Sequence, residues 1–165
     1  MKNIIILILL FLTFNLVAAD LDFELYTLDD NLFSLERVRS QKDTKIVVVD
    51  FFSIYCKPCK ESLPEWEKKH KEFAKKGFKF VVVALPVEDD RTKEFEKIKK
   101  LFKKGKYTFP VVFDKYSMVA KKFKVVDKKG SAEIPQIFII SKDGKLLKKG
   151  RDHKKMIEEV KKKLR

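Results

Sequence analysis

The run Ile46-Val47-Val48-Val49-Asp50-Phe51-Phe52 constrains this chain more than any other segment. All but one of its residues are β-branched or aromatic, and no polar residues alternate with them. A strand of that kind has both faces covered, which calls for a sheet with helices on either side. The exception is Asp50. A carboxylate on such a strand is costly, and desolvation raises its pKa toward neutrality. A group of that kind can give or take a proton inside the fold. The other reading, a solvated edge position, is argued against by the six apolar neighbours in the run.

The remaining sequence supplies the layers. Residues 23–28 alternate apolar and polar, Asp29-Asp30-Asn31 is turn chemistry, and residues 32–35 read as a second short strand, together an N-terminal β-hairpin. After the central run, Leu63, Trp66, His70, Phe73 and Ala74 recur at helical spacing up to a stop near Gly77. Residues 78–85 predict a second buried strand. Asp89-Asp90 suit a helix start, with Phe95, Ile98, Leu101 and Phe102 as its stripe and Gly105 near its stop. Residues 109–113 give a short strand, 118–123 a short helix and 124–133 a polar, lysine-rich loop. Residues 137–140 give a further strand, and Asp143-Gly144 a hairpin turn into residues 145–148. A last helix from about Asp152 turns Met156, Ile157, Val160 and Leu164 inward. Strands alternating with helices and closed by a hairpin make the class α/β, a central mixed sheet flanked by helices on both faces.

Residues 1–19 stand apart from this pattern. One lysine precedes a nearly unbroken apolar run over residues 4–17, and Val17-Ala18-Ala19 places small residues for cleavage before Asp20. That is the three-part pattern of a secretory signal peptide. The run is shorter than the roughly 20 residues of a membrane span, with an uncleaved anchor as the alternative. No cysteine follows it, which excludes lipid attachment there. Residues 20–165 then form one domain, soluble and periplasmic or secreted, with no internal repeat or linker.

The formal charge is +14. Such a balance suits nucleic acid, an anionic surface or an acidic partner. Here the lysines are scattered along every helix and gather into no stripe, so a solvated surface is expected and no nucleic acid. The chain has 2 cysteines, Cys56 and Cys59. A bridge closing so tight a loop removes little entropy from the unfolded chain, so the pair is chemistry before scaffold.

Cys56-Lys57-Pro58-Cys59 stands directly after the central strand and directly before a helix. At a helix N-terminus a sulfur feels unpaired N–H groups and the positive end of the dipole, which favour a thiolate. Lys57 adds a cation, and Pro58 fits a first turn that needs no N–H there. Cys56 is then the nucleophile toward a substrate disulfide, and Cys59, one turn on, the resolving thiol. Asp50 serves as proton relay to Cys59. One Cys pair cannot fill a four-ligand zinc site, and only His70 and His153 could add to it. His70 is expected to pack with its ring nitrogen satisfied, and His153 to lie on the surface; neither enters the mechanism. No metal or cofactor is required.

With these residues in view, the chain resembles the thioredoxin superfamily, and within it the secreted TlpA/ResA-like branch, over residues 23–163. The segment from Val47 to Asp50-Phe51-Phe52 and on to Cys56-Lys57-Pro58-Cys59-Lys60 is similar to the family's most specific stretch. Pro64 matches its helix-kinking proline, and Asp143-Gly144 its closing turn. Ile134-Pro135 matches the cis-proline pair. The resemblance implies that this pair lies beside the cysteines, with Pro135 holding the substrate backbone and Ile134 also in contact. It implies a thioredoxin-like fold with an N-terminal β-hairpin and a βα insertion over residues 85–113. It further implies a Cys56–Cys59 disulfide, protein thiol and disulfide substrates, a membrane electron donor and a monomer. Three departures stand out. Tyr55 replaces the usual Trp beside the motif, and Asp50 is the thioredoxin-type residue where the branch often has Asn. Ser62 occupies a position where many members carry a Glu tied to haem maturation. The loop over residues 124–133 is longer than usual and borders the site.

Asp50 and Ile134 are of the reductase type, so a reductant of protein disulfides is the first expectation and a disulfide-forming oxidant the alternative. A copper chaperone would need three residues between the cysteines, where this chain has two. A thiol peroxidase would pair Ser53-x-x-Cys56 with a preceding proline, and that position holds Val49.

Overall fold

The structure, a computed structural model, describes residues 21–127 and 129–165. The leader expected over residues 1–19 and its expected cleavage point lie outside the described residues. Among the described residues, seven strands and five α-helices follow one another as β1 (Glu24–Tyr26), β2 (Leu32–Ser34), α1 (Leu35–Ser40), β3 (Ile46–Phe52), α2 (Lys57–Phe73), β4 (Phe78–Ala84), α3 (Arg91–Gly105), β5 (Val111–Phe113), α4 (Met118–Lys122), β6 (Gln136–Ser141), β7 (Leu146–Gly150) and α5 (His153–Lys163).

β3 lies at the centre of a five-stranded mixed sheet of order β5-β4-β3-β6-β7. It runs parallel to β4, with Ile46 opposite Phe78 and Phe52 opposite Ala84. It runs antiparallel to β6, with Phe51 opposite Gln136. All seven of its residues are buried. Side chains alternate across a strand, and the two resulting sets pack into separate layers. Ile46, Val48 and Phe52 pack with Leu63 and Trp66 of α2, Ile98 and Phe102 of α3, and Met156, Ile157 and Val160 of α5. Val47, Val49 and Phe51 pack with Phe23, Phe33, Leu35 of α1, and Val119 and Ala120 of α4. The continuous apolar run therefore has the physical cause expected of it.

β1 and β2 pair antiparallel as a separate two-stranded sheet, Leu25 opposite Phe33. It is tied to the main sheet by the Leu28 N–H donating to Val111 O at 3.0 Å. The helix α1 is an addition to the expected elements. It begins where a second strand was read to end, because the Ser34 hydroxyl caps it by accepting from the Arg37 N–H. The apolar stripe of α2 stops at Phe73, one residue short of the reading. Ala74 is exposed and opens a 3-10 turn that ends at Gly77 with φ 86°. A Cβ at Gly77 would lie 2.6 Å from Asp43 O, so only glycine fits. Within the segment read as a polar loop, Val125 is buried and Val126 bridges Ala132. Among the described residues no helix is long and apolar enough to cross a membrane.

Candidate active site

β3 ends at Phe52, and the chain turns at once. The Cys56 N–H donates to Ser53 O at 3.0 Å, and the Tyr55 N–H to Ser53 Oγ at 3.2 Å. This turn delivers Cys56 as the N-cap of α2, its Sγ accepting the Cys59 N–H at 3.2 Å. Pro58 stands in the first turn, where no N–H is needed. Cys56 is half-buried and Cys59 fully buried. The two sulfurs are at disulfide distance, 2.00 Å. Behind them the Ser62 hydroxyl donates to Cys59 O at 2.9 Å. Lys57 pairs with the next turn of α2: its Nζ is 3.8 Å from Glu61 Oε1, and both side chains are exposed.

Asp50 shares strand parity with Val48 and Phe52, so it faces the α2 and α5 side of the sheet, where Cys59 is also buried. It is 1% exposed. Burial pushes its carboxyl pKa above the usual carboxylate range, against the opposing pull of His153. His153 Nε2 lies 3.3 Å from Asp50 Oδ2. That is ion-pair distance; among the described residues neither Asp50 Oδ1 nor His153 Nε2 has a hydrogen-bond partner.

The expectation of a surface His153 is therefore corrected. The residue is 9% exposed and opens α5 facing the sheet. The signal was present in the spacing. His153 precedes Met156, Ile157 and Val160 by three, four and seven residues, the positions of one helix face. His70 packs as expected, its ring edge-on to Phe109 at 6.0 Å, but among the described residues its Nδ1 has no hydrogen-bond partner, contrary to expectation. Burial holds the His70 pKa below the usual histidine value.

The peptide Ile134–Pro135 is cis. Gln136 follows it and pairs with Phe51, so Ile134 and Pro135 enter the sheet beside the carboxyl end of β3, the end from which the cysteine turn departs. Both are half-buried. Tyr55 is exposed, and its hydroxyl donates to Glu88 Oε1 while Lys97 Nζ bonds the same carboxylate oxygen at 2.8 Å. Tyr55 is thereby tied to the connection between β4 and α3. Among the described residues no group of three or more His, Cys, Asp or Glu side chains is placed to hold a metal ion. The arrangement offers a half-buried sulfur, a sealed partner sulfur and a sealed carboxyl on one side of one sheet.

The comparisons with known proteins agree with this geometry. The model of the AhpC/TSA family matches residues 18–149. The thiol-disulfide oxidoreductase ResA of Bacillus thuringiensis subsp. konkukian is 30% identical over 122 residues, covering 73% of this chain and 64% of that protein. The chain thus spans less than two thirds of that relative's length. Two solved structures share the thioredoxin-like fold. The thioredoxin domain of a thiol-disulfide oxidoreductase from Bacteroides vulgatus superposes with a TM-score of 0.70 at 22% identity, covering 90% of this chain and 96% of that one. A thiol:disulfide interchange protein of the thioredoxin family from Chlorobium tepidum TLS gives 0.70 at 24% identity, with the same coverage of 90% and 96%.

Proposed function

We propose, from the premise that this chain belongs to the AhpC/TSA family, that it is a thiol–disulfide oxidoreductase acting outside the cytoplasm and reducing protein disulfides through Cys56 and Cys59. The observation that carries this reading is the asymmetry of the pair. Cys56 is half-buried at a helix N-terminus, whereas Cys59 is sealed one turn further in.

In the reductive direction the Cys56 thiolate attacks one sulfur of a substrate disulfide. A mixed disulfide forms and the first substrate thiolate leaves. Cys59 then gives its proton to the Asp50 carboxylate and attacks Cys56 Sγ. The Cys56–substrate bond breaks, the second substrate thiolate leaves, and Cys56–Cys59 is the two-electron oxidised product. Pro135 and Ile134 hold the substrate backbone at the sheet end where the cysteines emerge, with Tyr55 at its border. A reduced pair that is only weakly stabilised as thiolate makes a reductant, as a strongly stabilised one makes an oxidant. Here one backbone N–H, that of Cys59, reaches Cys56 Sγ, and Lys57 is turned toward Glu61. These features support the reductant direction. A reductant outside the cytoplasm requires electrons from across the membrane, hence a membrane-borne thiol donor. The leader pattern of residues 1–19 supports the compartment.

The test is a trap. Cys59→Ser is expected to accumulate a Cys56-linked mixed disulfide with a disulfide-bonded model protein, seen as an adduct by intact-mass measurement. Cys56→Ser is expected to give none. Absence of adduct from Cys59→Ser contradicts the assigned roles.

A further inference from the structure

The mechanism above leaves a proton on Asp50, a group sealed from water, and names no way out for it. The environment of His153 supplies one. The helix start that carries it is fixed by Asp152, whose side chain accepts the Lys155 N–H at 3.1 Å. The imidazole stands between the Asp50 carboxyl at 3.3 Å and the Trp66 ring, whose centroid is 6.4 Å away at 70°. Cys59 and Trp66 are seven residues apart on α2, two turns along the same face. Asp50, Cys59, Trp66 and His153 therefore share one layer of the core. Beyond them an open groove of about 460 Å³ runs between the start of α2 and the start of α5, lined by Pro58, Ser62 and His153. The imidazole thus reaches the buried carboxyl on one side and the groove on the other. A ring nitrogen buried without a hydrogen bond is destabilising. Packing alone would be served by another residue like Met156 or Ile157 on the same helix face.

We propose that His153 is the positioning residue for Asp50 and its proton outlet, carrying the proton between the buried carboxyl and the groove beside the cysteines. This rests on the oxidoreductase reading of Cys56 and Cys59. When Cys59 gives its proton to Asp50 and attacks Cys56 Sγ, the second substrate thiolate leaves, and over the two exchanges two electrons have passed from the dithiol to the two substrate sulfurs. The proton then moves from Asp50 Oδ2 to His153 Nε2 and from the imidazole to water in the groove, and Asp50 is again a carboxylate for the next turnover. In the oxidative direction the same route runs inward. The other charged groups around the route are at its mouth and exposed: Glu61 and Glu65 from α2, Arg151 and Asp152 before α5, and Lys154 on α5. Solvent screens them. Lys57 and Glu133 in turn stand 3.8 Å from Glu61 and 3.6 Å from Arg151. From α5, His153 is the group that acts on Asp50.

The experiment follows turnover of a disulfide-bonded model protein, with a small dithiol as electron source, from mildly acid to mildly alkaline pH. It uses the full chain, His153→Gln, Asp50→Asn and the double variant. His153→Gln is expected to turn over about tenfold more slowly at neutral pH. Its rate should rise at higher pH than in wild type, because the carboxyl loses the neighbour that favours its charged form. Asp50→Asn removes that transition, and adding His153→Gln to it costs nothing further. A His153→Gln profile that superposes on wild type, or two losses that multiply, overturns the proposal. Carbon NMR of the Asp50 carboxyl separates this inference from the reading beneath it. If His153→Gln leaves the Asp50 titration where it is in wild type, the pairing is overturned even in an active chain. If the titration moves upward while the wild type exchanges no disulfide, the pairing stands and the oxidoreductase reading falls. His153→Asn repeats both measurements should the Gln variant not fold.

Discussion

Asp114 and Asp50 are both sealed carboxylates, each 1% exposed, and the fold treats them in opposite ways. Asp114 follows β5 and accepts the N–H groups of Met118 and Ala120 at 2.9 and 2.8 Å. It does the capping that Ser117, with φ 54° and no side-chain cap bond, does not do for α4. Burial still raises its pKa, with those backbone donors pulling the other way. Glu94, also buried, resembles it: its Oε2 accepts from Val87 N and Glu88 N, each at 2.8 Å, and so fixes the turn between β4 and α3. Among the described residues no backbone N–H donates to the Asp50 carboxyl. β3 commits its backbone to β4 and β6 on either side, and the carboxyl has the His153 imidazole at 3.3 Å. A carboxylate that holds structure has its desolvation offset by N–H groups. One that must change protonation state is better left without them, because fixed donors favour the anion.

Exchanging each of these carboxyls for an amide sharpens the contrast. The largest effect is expected at Asp50. Asp50→Asn should slow disulfide reduction at neutral pH by about a hundredfold, the scale of a lost general acid–base group, in steady-state turnover of a protein disulfide. The same variant should gain stability. Burial raises the Asp50 pKa above its unfolded value. Its contribution to folding is therefore complete below the unfolded pKa and is lost as pH rises through the folded one. Urea unfolding should show Asp50→Asn drawing ahead of wild type with rising pH, by about 1–3 kcal/mol at the alkaline end. A constant difference across pH would contradict a sealed, titrating Asp50. Asp114→Asn should do the reverse. Turning an amide NH₂ toward a backbone N–H should cost about 1–3 kcal/mol of stability and leave turnover and its pH profile unchanged. A loss of activity in a folded Asp114→Asn chain would break the distinction.

The two carboxyls also differ in how legible they were. Asp50 interrupts a run of β-branched and aromatic residues, so its burial could be read from composition alone. Asp114 follows a three-residue strand and looks like any turn aspartate until α4 is placed over it. The cysteines were legible for the same reason as Asp50: a strand signal before them and a helix signal after. The layers of the sheet followed from periodicity, as did most of the inward residues of α5. His153 was misjudged because Arg151-Asp152 before it and Lys154-Lys155 after it are polar, while its burial depends on how α5 docks onto the sheet. Its spacing to Met156 and Val160 carried the information, outweighed by its neighbours. The helix α1 was hidden by its length, six residues, too short to establish a period. The place of Ile134-Pro135 came from family resemblance. Its position at the carboxyl end of β3 follows only from the pairing of Gln136 with Phe51, a tertiary fact.

The central claim is that Cys56 and Cys59 form a reducing dithiol, and the reduction potential of that pair tests it most directly. The chain would be equilibrated against thiol–disulfide buffers of graded potential, and the free thiols alkylated and counted by mass. A two-electron transition near about −270 mV, the reducing end of the thioredoxin-like range, is the result this account predicts. A transition near about −120 mV, the value of a disulfide-forming oxidant, would contradict it.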